Sequence, residues 1–285
     1  MIEILNCSQI YDGVPVLNNI SCTVASGEIY GIIGPNGSGK STLMRLISGV
    51  ERPASGCVRI NGKDVGSYSR RKLAQFMAVL EQEALPPVGF TVREVVEMGR
   101  YPHQDWLGRE RRQEHGPERE GGRYSPSAQS LLQGIMERLD LEGLAERTLE
   151  QISGGERQRA ALGKAMAQEP MLLLLDEPTT YLDIGYQMQM MDYVRKWNRE
   201  CGLTVVAVLH DLNLAAQYCD RLMVISRGEA VAEGEPWSIM QAGLIEQVYK
   251  TRPVVVEHPE TGAPQILLKP QAAAGDSKQP AGSGS

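Results

Sequence analysis

Gly34, Pro35, Asn36, Gly37, Ser38, Gly39, Lys40 and Ser41 fit the pattern G-x-x-x-x-G-K-[ST] without deviation. A short apolar run, Ile29–Ile33, precedes them, and Thr42 opens a stretch to Ile47 with helical apolar spacing. Strand, glycine loop and helix in that order leave few folds open. Such a loop turns its backbone N–H groups inward around a β-phosphate, Lys40 reaches the β- and γ-oxygens, and Ser41 can ligate Mg²⁺. The unit belongs to an α/β protein that binds a nucleoside triphosphate.

The rest of the chain agrees with that class. Ile2–Leu5, Ile20–Val24, Val58–Ile60 and Phe76–Leu80 read as strands between Gly, Pro and Asn turns. Leu172–Leu175 and Thr204–Leu209 are unbroken apolar runs, as expected of parallel strands covered on both faces, and Tyr186–Glu200 fits a crossover helix between them. Helix is expected behind the capping box Thr91-Val-Arg-Glu94, along the stripe Leu131 to Leu139, and over Arg157–Gln168. Leu222–Ser226 reads as a strand leading into short helices, and Val254–Glu257 and Gln265–Leu268 as a final pair. Residues 102–127 alternate charges with Gly and Pro, which suggests a solvated insertion, and the tail from Pro270 has a disordered composition.

Composition narrows the setting. The formal charge of −6 over 285 residues gives a nucleic-acid partner no support. No apolar run approaches the roughly 18 residues of a membrane span, and the N-terminus lacks the pattern of a secretory signal. The five cysteines have no metal spacing, so reduced and mostly buried thiols in a cytosolic setting are expected.

Hydrolysis of a phosphoanhydride calls for charge neutralisation, a held Mg²⁺ and a positioned water. Asp176 ends the strand Leu172–Leu175, from which a carboxylate can reach Mg²⁺, and Glu177 follows it and could polarise the water. Alone, Asp-Glu after an apolar strand also suits a helix cap; behind a phosphate loop, the catalytic assignment is preferred. His210 ends the next apolar strand, at the edge where ligand sites gather in open α/β sheets, and is expected at the γ-phosphate. Gln82, after Phe76–Leu80, could contact Mg²⁺. Ser153, Gly154 and Gly155 offer a second anion-binding geometry, a hydroxyl and bare N–H groups at a helix start, although an ordinary serine cap would look the same.

Taken together, these motifs resemble the nucleotide-binding subunit of an ABC transporter over nearly the whole chain. Residues 34–42 resemble Walker A, 172–177 Walker B, and Ile152-Ser-Gly-Gly-Glu156 the signature, with Ile for the usual Leu and Glu for the usual Gln. Gln82 falls at the Q-loop, Tyr181-Leu-Asp183 at the D-loop, His210 at the switch histidine and Tyr11 at the aromatic that stacks on adenine. The resemblance implies a P-loop (RecA-like) core with an N-terminal antiparallel β subdomain, over residues 1–82 and about 156–250. It also implies an inserted helical subdomain over about 83–155, an extension over 251–268 and a tail over 269–285.

It further implies ATP and Mg²⁺ and a head-to-tail pair of subunits, in which Ser153, Gly154 and Gly155 serve the partner's nucleotide. The subunits would sit on the cytoplasmic face of the membrane, held by permease subunits, with an extracytoplasmic binding protein acting indirectly. Gly99-Arg-Tyr-Pro-His103, Glu177–Ile184, Val208–Asn213 and His258–Pro264 resemble the importers of iron–siderophore, haem and cobalamin complexes, ranked in that order. Residues 83–103 are the expected dock for the permease. A soluble ABC ATPase of DNA repair or translation is the competing class; the single uninterrupted cassette and acidic balance count against it.

Overall fold

A computed structural model of the chain describes residues 1–81, 89–104, 128–179 and 182–269. The N-terminal strands β1 (Ile2–Tyr11) and β2 (Val14–Val24) pair antiparallel, and both run longer than their apolar content suggests. Cross-strand pairing supports the polar stretches that hydropathy alone cannot. Next come β3 (Ile29–Ile33), α1 (Lys40–Ile47), β4 (Ser55–Ile60), the short β5 (Lys63–Asp64), α2 (Arg70–Ala74) and β6 (Met77–Leu80). The helical part holds α3 (Val92–Met98), α4 (Ala128–Arg138) and α5 (Gly154–Ala167). The chain then alternates through β7 (Leu172–Asp176), α6 (Ile184–Cys201), β8 (Thr204–Val208), α7 (Leu212–Tyr218) and β9 (Arg221–Ser226). After β10 (Glu229–Gly234), α8 (Pro236–Ile239) and α9 (Ala242–Tyr249), the hairpin of β11 (Val254–Glu257) and β12 (Pro264–Leu267) ends the described chain.

Among the described residues, β2-β1-β4-β5 form one antiparallel sheet and β10-β9-β3-β8-β7-β6 a second. In the second, β6, β7, β8, β3 and β9 are parallel, and β10 returns antiparallel on the edge. That edge strand is a departure from the expectation that Leu222–Ser226 leads straight into helix. Its alanines and glutamates carry little strand signal, and it forms because Arg227-Gly228 turns the chain back onto β9.

The parallel sheet is a wall between two cores. Tyr30, Ile32, Leu172, Leu174, Val206 and Val208 face α1 and the antiparallel sheet. Ile29, Ile33, Leu173, Leu175, Val205 and Ala207 face the helices that fill the other side, α3 to α7 among them. A strand buried on both faces reads as an unbroken apolar run, and this is the arrangement that such runs serve.

Two expectations in the helical part need correction. The helix expected from Arg157 begins at Gly154, because Ser153 caps it. Residues 102–104, counted with the solvated insertion, are packed: His103 is buried, its Nε2 lies 2.9 Å from the Gln168 carbonyl, and Arg100 donates to Ala167 O at 2.8 Å and to Glu169 at 2.6 Å. This segment satisfies carbonyls that the end of α5 leaves without intrahelical partners. The remainder of the insertion, residues 105–127, and the tail from 270 lie outside the described residues.

Candidate functional site

The carboxyl ends of β3, β7 and β8 meet at one edge of the parallel sheet, where open α/β sheets hold their ligands. From β3 the chain turns through the glycine loop into α1. Gly34 has φ +152°, and a Cβ there would lie 2.0 Å from the Ile225 carbonyl, so only glycine lets the loop pass β9. Asn36, Gly37, Ser38, Gly39, Lys40, Ser41 and Thr42 line a cleft of about 490 Å³, together with Val16, Glu177 and His210. Val16 has no sequence signal for this role; β2 reaches the loop through tertiary packing alone.

Inside the cleft the charged groups are held in place. Lys40 is buried, and its Nζ donates to the carbonyls of Gly34 at 2.9 Å and Pro35 at 3.0 Å. Burial pulls its pKa below the ordinary lysine value, opposed by the charges of Glu177 and Asp176. Ser38 is buried too, and its hydroxyl has no hydrogen-bond partner among the described residues. A buried orphan hydroxyl beside inward-facing N–H groups suits an oxygen-rich guest such as a phosphate.

Asp176 ends β7 with its Oδ1 3.5 Å from the Ser41 hydroxyl. Burial first, and then the neighbouring Glu177, raise its pKa above the carboxylate range. A hydroxyl and an under-compensated carboxylate are hard oxygen donors that fit a divalent cation. Glu177 follows in the left-handed region at φ +53°, its N–H donating to Val208 O at 3.2 Å, and its Oε1 lies 2.5 Å from His210 Nε2. Such a backbone costs on the order of 1–3 kcal/mol and is kept where surroundings over-determine it. Here two strands and a histidine do so.

Tyr11, Ser153, Gly154, Gly155 and Asp183 do not line the cleft. Tyr11 is not among its lining residues; its hydroxyl donates to Glu51, which also accepts from Gln9 and pairs with Arg45. Ser153, Gly154 and Gly155 begin α5. The Ser153 hydroxyl accepts from the Glu156 N–H at 3.3 Å, and the Glu156 carboxylate accepts from the Ser153 N–H at 2.7 Å. In this reciprocal cap the Ser153 hydroxyl also hydrogen-bonds the Glu156 carboxylate. The backbone N–H of Ser153 is the main cause of a lowered Glu156 pKa. Asp183 caps α6 by accepting from the Tyr186 N–H at 3.0 Å. Gln82 and Tyr181 lie outside the described residues, as do residues 83–88 of the dock expected over 83–103.

Comparison with known proteins fits this geometry. Residues 17–180 match the family described as ABC transporter. The chain is 37% identical over 257 residues to the ferric enterobactin transport ATP-binding protein FepC of Escherichia coli, covering 90% of each chain. It is 38% identical over 261 residues to the uncharacterized ABC transporter ATP-binding protein YvrA of Bacillus subtilis; the match takes in 92% of the chain but only 56% of that longer relative. Among solved structures, a dimeric ATP-binding cassette in a post-hydrolysis state bound to ADP and phosphate superposes with a TM-score of 0.67 at 26% identity, covering 82% of this chain and 98% of that one.

Proposed function

The chain belongs to the ABC transporter family, and from that footing we propose that it is the ATP-hydrolysing motor subunit of an importer for iron–siderophore complexes. The observation that carries the ATPase reading is the convergence, in one cleft, of Lys40 and Ser41 with the Glu177–His210 pair, and of Asp176 beside Ser41. Lys40 takes up negative charge from the β- and γ-phosphates, and Glu177 orients and polarises the attacking water. His210 holds that carboxylate and meets the γ-phosphate. Positioning and electrostatic stabilisation of this kind supply most of the rate in phosphoryl transfer. Ser41 and Asp176 would hold Mg²⁺, which when bound offsets charge on the phosphate oxygens.

Ser153, Gly154 and Gly155 stand outside that cleft on a capped helix start, with the glycine N–H groups and the positive helix end to offer. They serve the nucleotide of a second copy, so that ATP closes a head-to-tail pair and hydrolysis reopens it. Among the described residues no helix is long and apolar enough to cross a membrane. The pair works on the cytoplasmic face through permease subunits. An extracytoplasmic binding protein delivers the cargo. The iron–siderophore assignment rests on the name of the E. coli relative, with haem and cobalamin as the competing cargoes.

Two measurements test this reading. Ser153→Arg should leave ATP binding by the isolated subunit near the parent value while ending hydrolysis by the pair; loss of binding in the monomer would count against a shared site. Uptake of labelled ferric siderophore, haem and cobalamin in a deletion strain should show loss of the first alone.

A further inference from the structure

Two contacts join the start of α5 to the chain just beyond the catalytic carboxylate. The Gln158 amide, 4% exposed, donates to the Pro178 carbonyl at 2.9 Å, one residue past Glu177. One turn earlier the ring of Tyr186 packs on Gly155: a Cβ there would lie 2.7 Å from Tyr186 Cδ1. Tyr186 is itself held by its N–H to Asp183 at 3.0 Å. Gly155 and Gln158 are three apart and share one face of α5. That face touches the Glu177–Pro178 turn and the start of α6.

We propose that Gln158, with Tyr186 seated on Gly155, is a positioning residue that ties the placement of α5 to that of Glu177. A phosphate taken at Ser153 then acts on the carboxylate of the same chain and couples one nucleotide site to the other. The proposal rests on the reading that the start of α5 serves a partner's nucleotide. Its physical ground is the left-handed Glu177. A residue strained at φ +53° follows its neighbours, and Pro178, with its φ fixed by the ring, passes on to Glu177 any shift of the carbonyl that Gln158 holds.

The test is ATP-induced slowing of hydrogen exchange in the complete transporter, compared between residues 34–47 and 176–186, beside steady-state hydrolysis. Gln158→Leu keeps the side-chain volume and removes the donor. It should retain protection of 34–47 and a KM within about twofold of the parent, with a melting temperature lowered by only a few degrees. Protection of 176–186 should be lost, and kcat should fall about tenfold, the scale of one buried hydrogen bond expressed in the rate. Tyr186→Ala should behave like Gln158→Leu, and Tyr186→Phe, which keeps the ring, like the parent. Unchanged protection of 176–186 and unchanged kcat in Gln158→Leu would overturn the proposal. So would equal loss of protection in both segments, which marks a merely structural role. Ser153→Arg separates the two readings. If it keeps hydrolysis and protection of 176–186, the shared-site reading fails; if it loses both while Gln158→Leu keeps them, the relay alone fails.

Discussion

Glu177 Oε1 and His210 Nε2 lie 2.5 Å apart, although the two residues follow different strands and are separated by the whole of α6. Neighbouring parallel strands make the contact possible, since Asp176 is in register with Val208. The left-handed turn at Glu177 swings its carboxylate out of the strand direction and towards the histidine.

Replacing that carboxylate by its amide should separate binding from chemistry. Glu177→Gln keeps an oxygen for His210 but loses the base, so kcat should fall on the order of 10²–10⁴-fold. ATP binding should persist, and ATP should hold the pair closed, seen as a dimer that survives gel filtration. Normal turnover in this variant would remove Glu177 from its role.

Lys40→Ala removes the buried cation of the loop. Charge-assisted bonds to phosphate oxygens are worth about 1.5–3 kcal/mol each, so nucleotide affinity should drop on the order of 10- to 100-fold. Titration with a fluorescent ATP analogue measures this directly. Parental affinity would show that the loop grips something other than the triphosphate.

Asp176 has a raised folded pKa, so it holds its proton to a higher pH than in the unfolded chain. Its contribution favours folding below the unfolded value of 3.8 and is lost as pH rises through the folded value. Without ligand at neutral pH, Asp176→Asn should therefore be more stable than the parent by roughly 0.5–2 kcal/mol, a common gain when a strained functional group is relieved. The gap in melting temperature should close as the buffer is acidified. With Mg²⁺ and ATP present the order should reverse, because the parent gains more from its ligand. Equal melting at every pH would contradict this account.

The signature's final residue makes the opposite pH prediction. Glu156 has a lowered pKa, chiefly through the Ser153 N–H, so its stabilisation is present above the unfolded value of 4.5 and is lost as pH falls through the folded one. Glu156→Gln keeps the reciprocal cap but not the charge at the helix start. It should cost about 0.3–1 kcal/mol at neutral pH and low salt, and nothing in acid. Thermal melts from pH 3 to 7 would show the two curves merging at the acid end.

Much of the site was legible because its parts are local. A glycine loop between a strand and a helix, Asp-Glu at a strand end and a histidine at the next each announce themselves within a few residues. What was not legible depends on partners far along the chain. His103 reads as the edge of a charged insertion and nothing near Arg100 marks its role, yet both cap the end of α5, 65 or more residues away. Nothing near Gln158 marks it off from the charged residues around it; only the fold brings Pro178 within reach. The hydroxyl of Tyr11 finds Glu51 in the same way, across 40 residues.

The alternating strand β7 has a consequence for how such a chain can change over time. Leu173 and Leu175 fit the helical half, while Leu172 and Leu174 fit the half built on α1. Inserting or deleting one residue would exchange the two sets and turn Asp176 away from Ser41. Drift in either half must therefore be matched by substitutions of one parity, with the length of the strand untouched. The segment behaves as a ruler shared by two lineages of neighbours, and neither can recalibrate it alone.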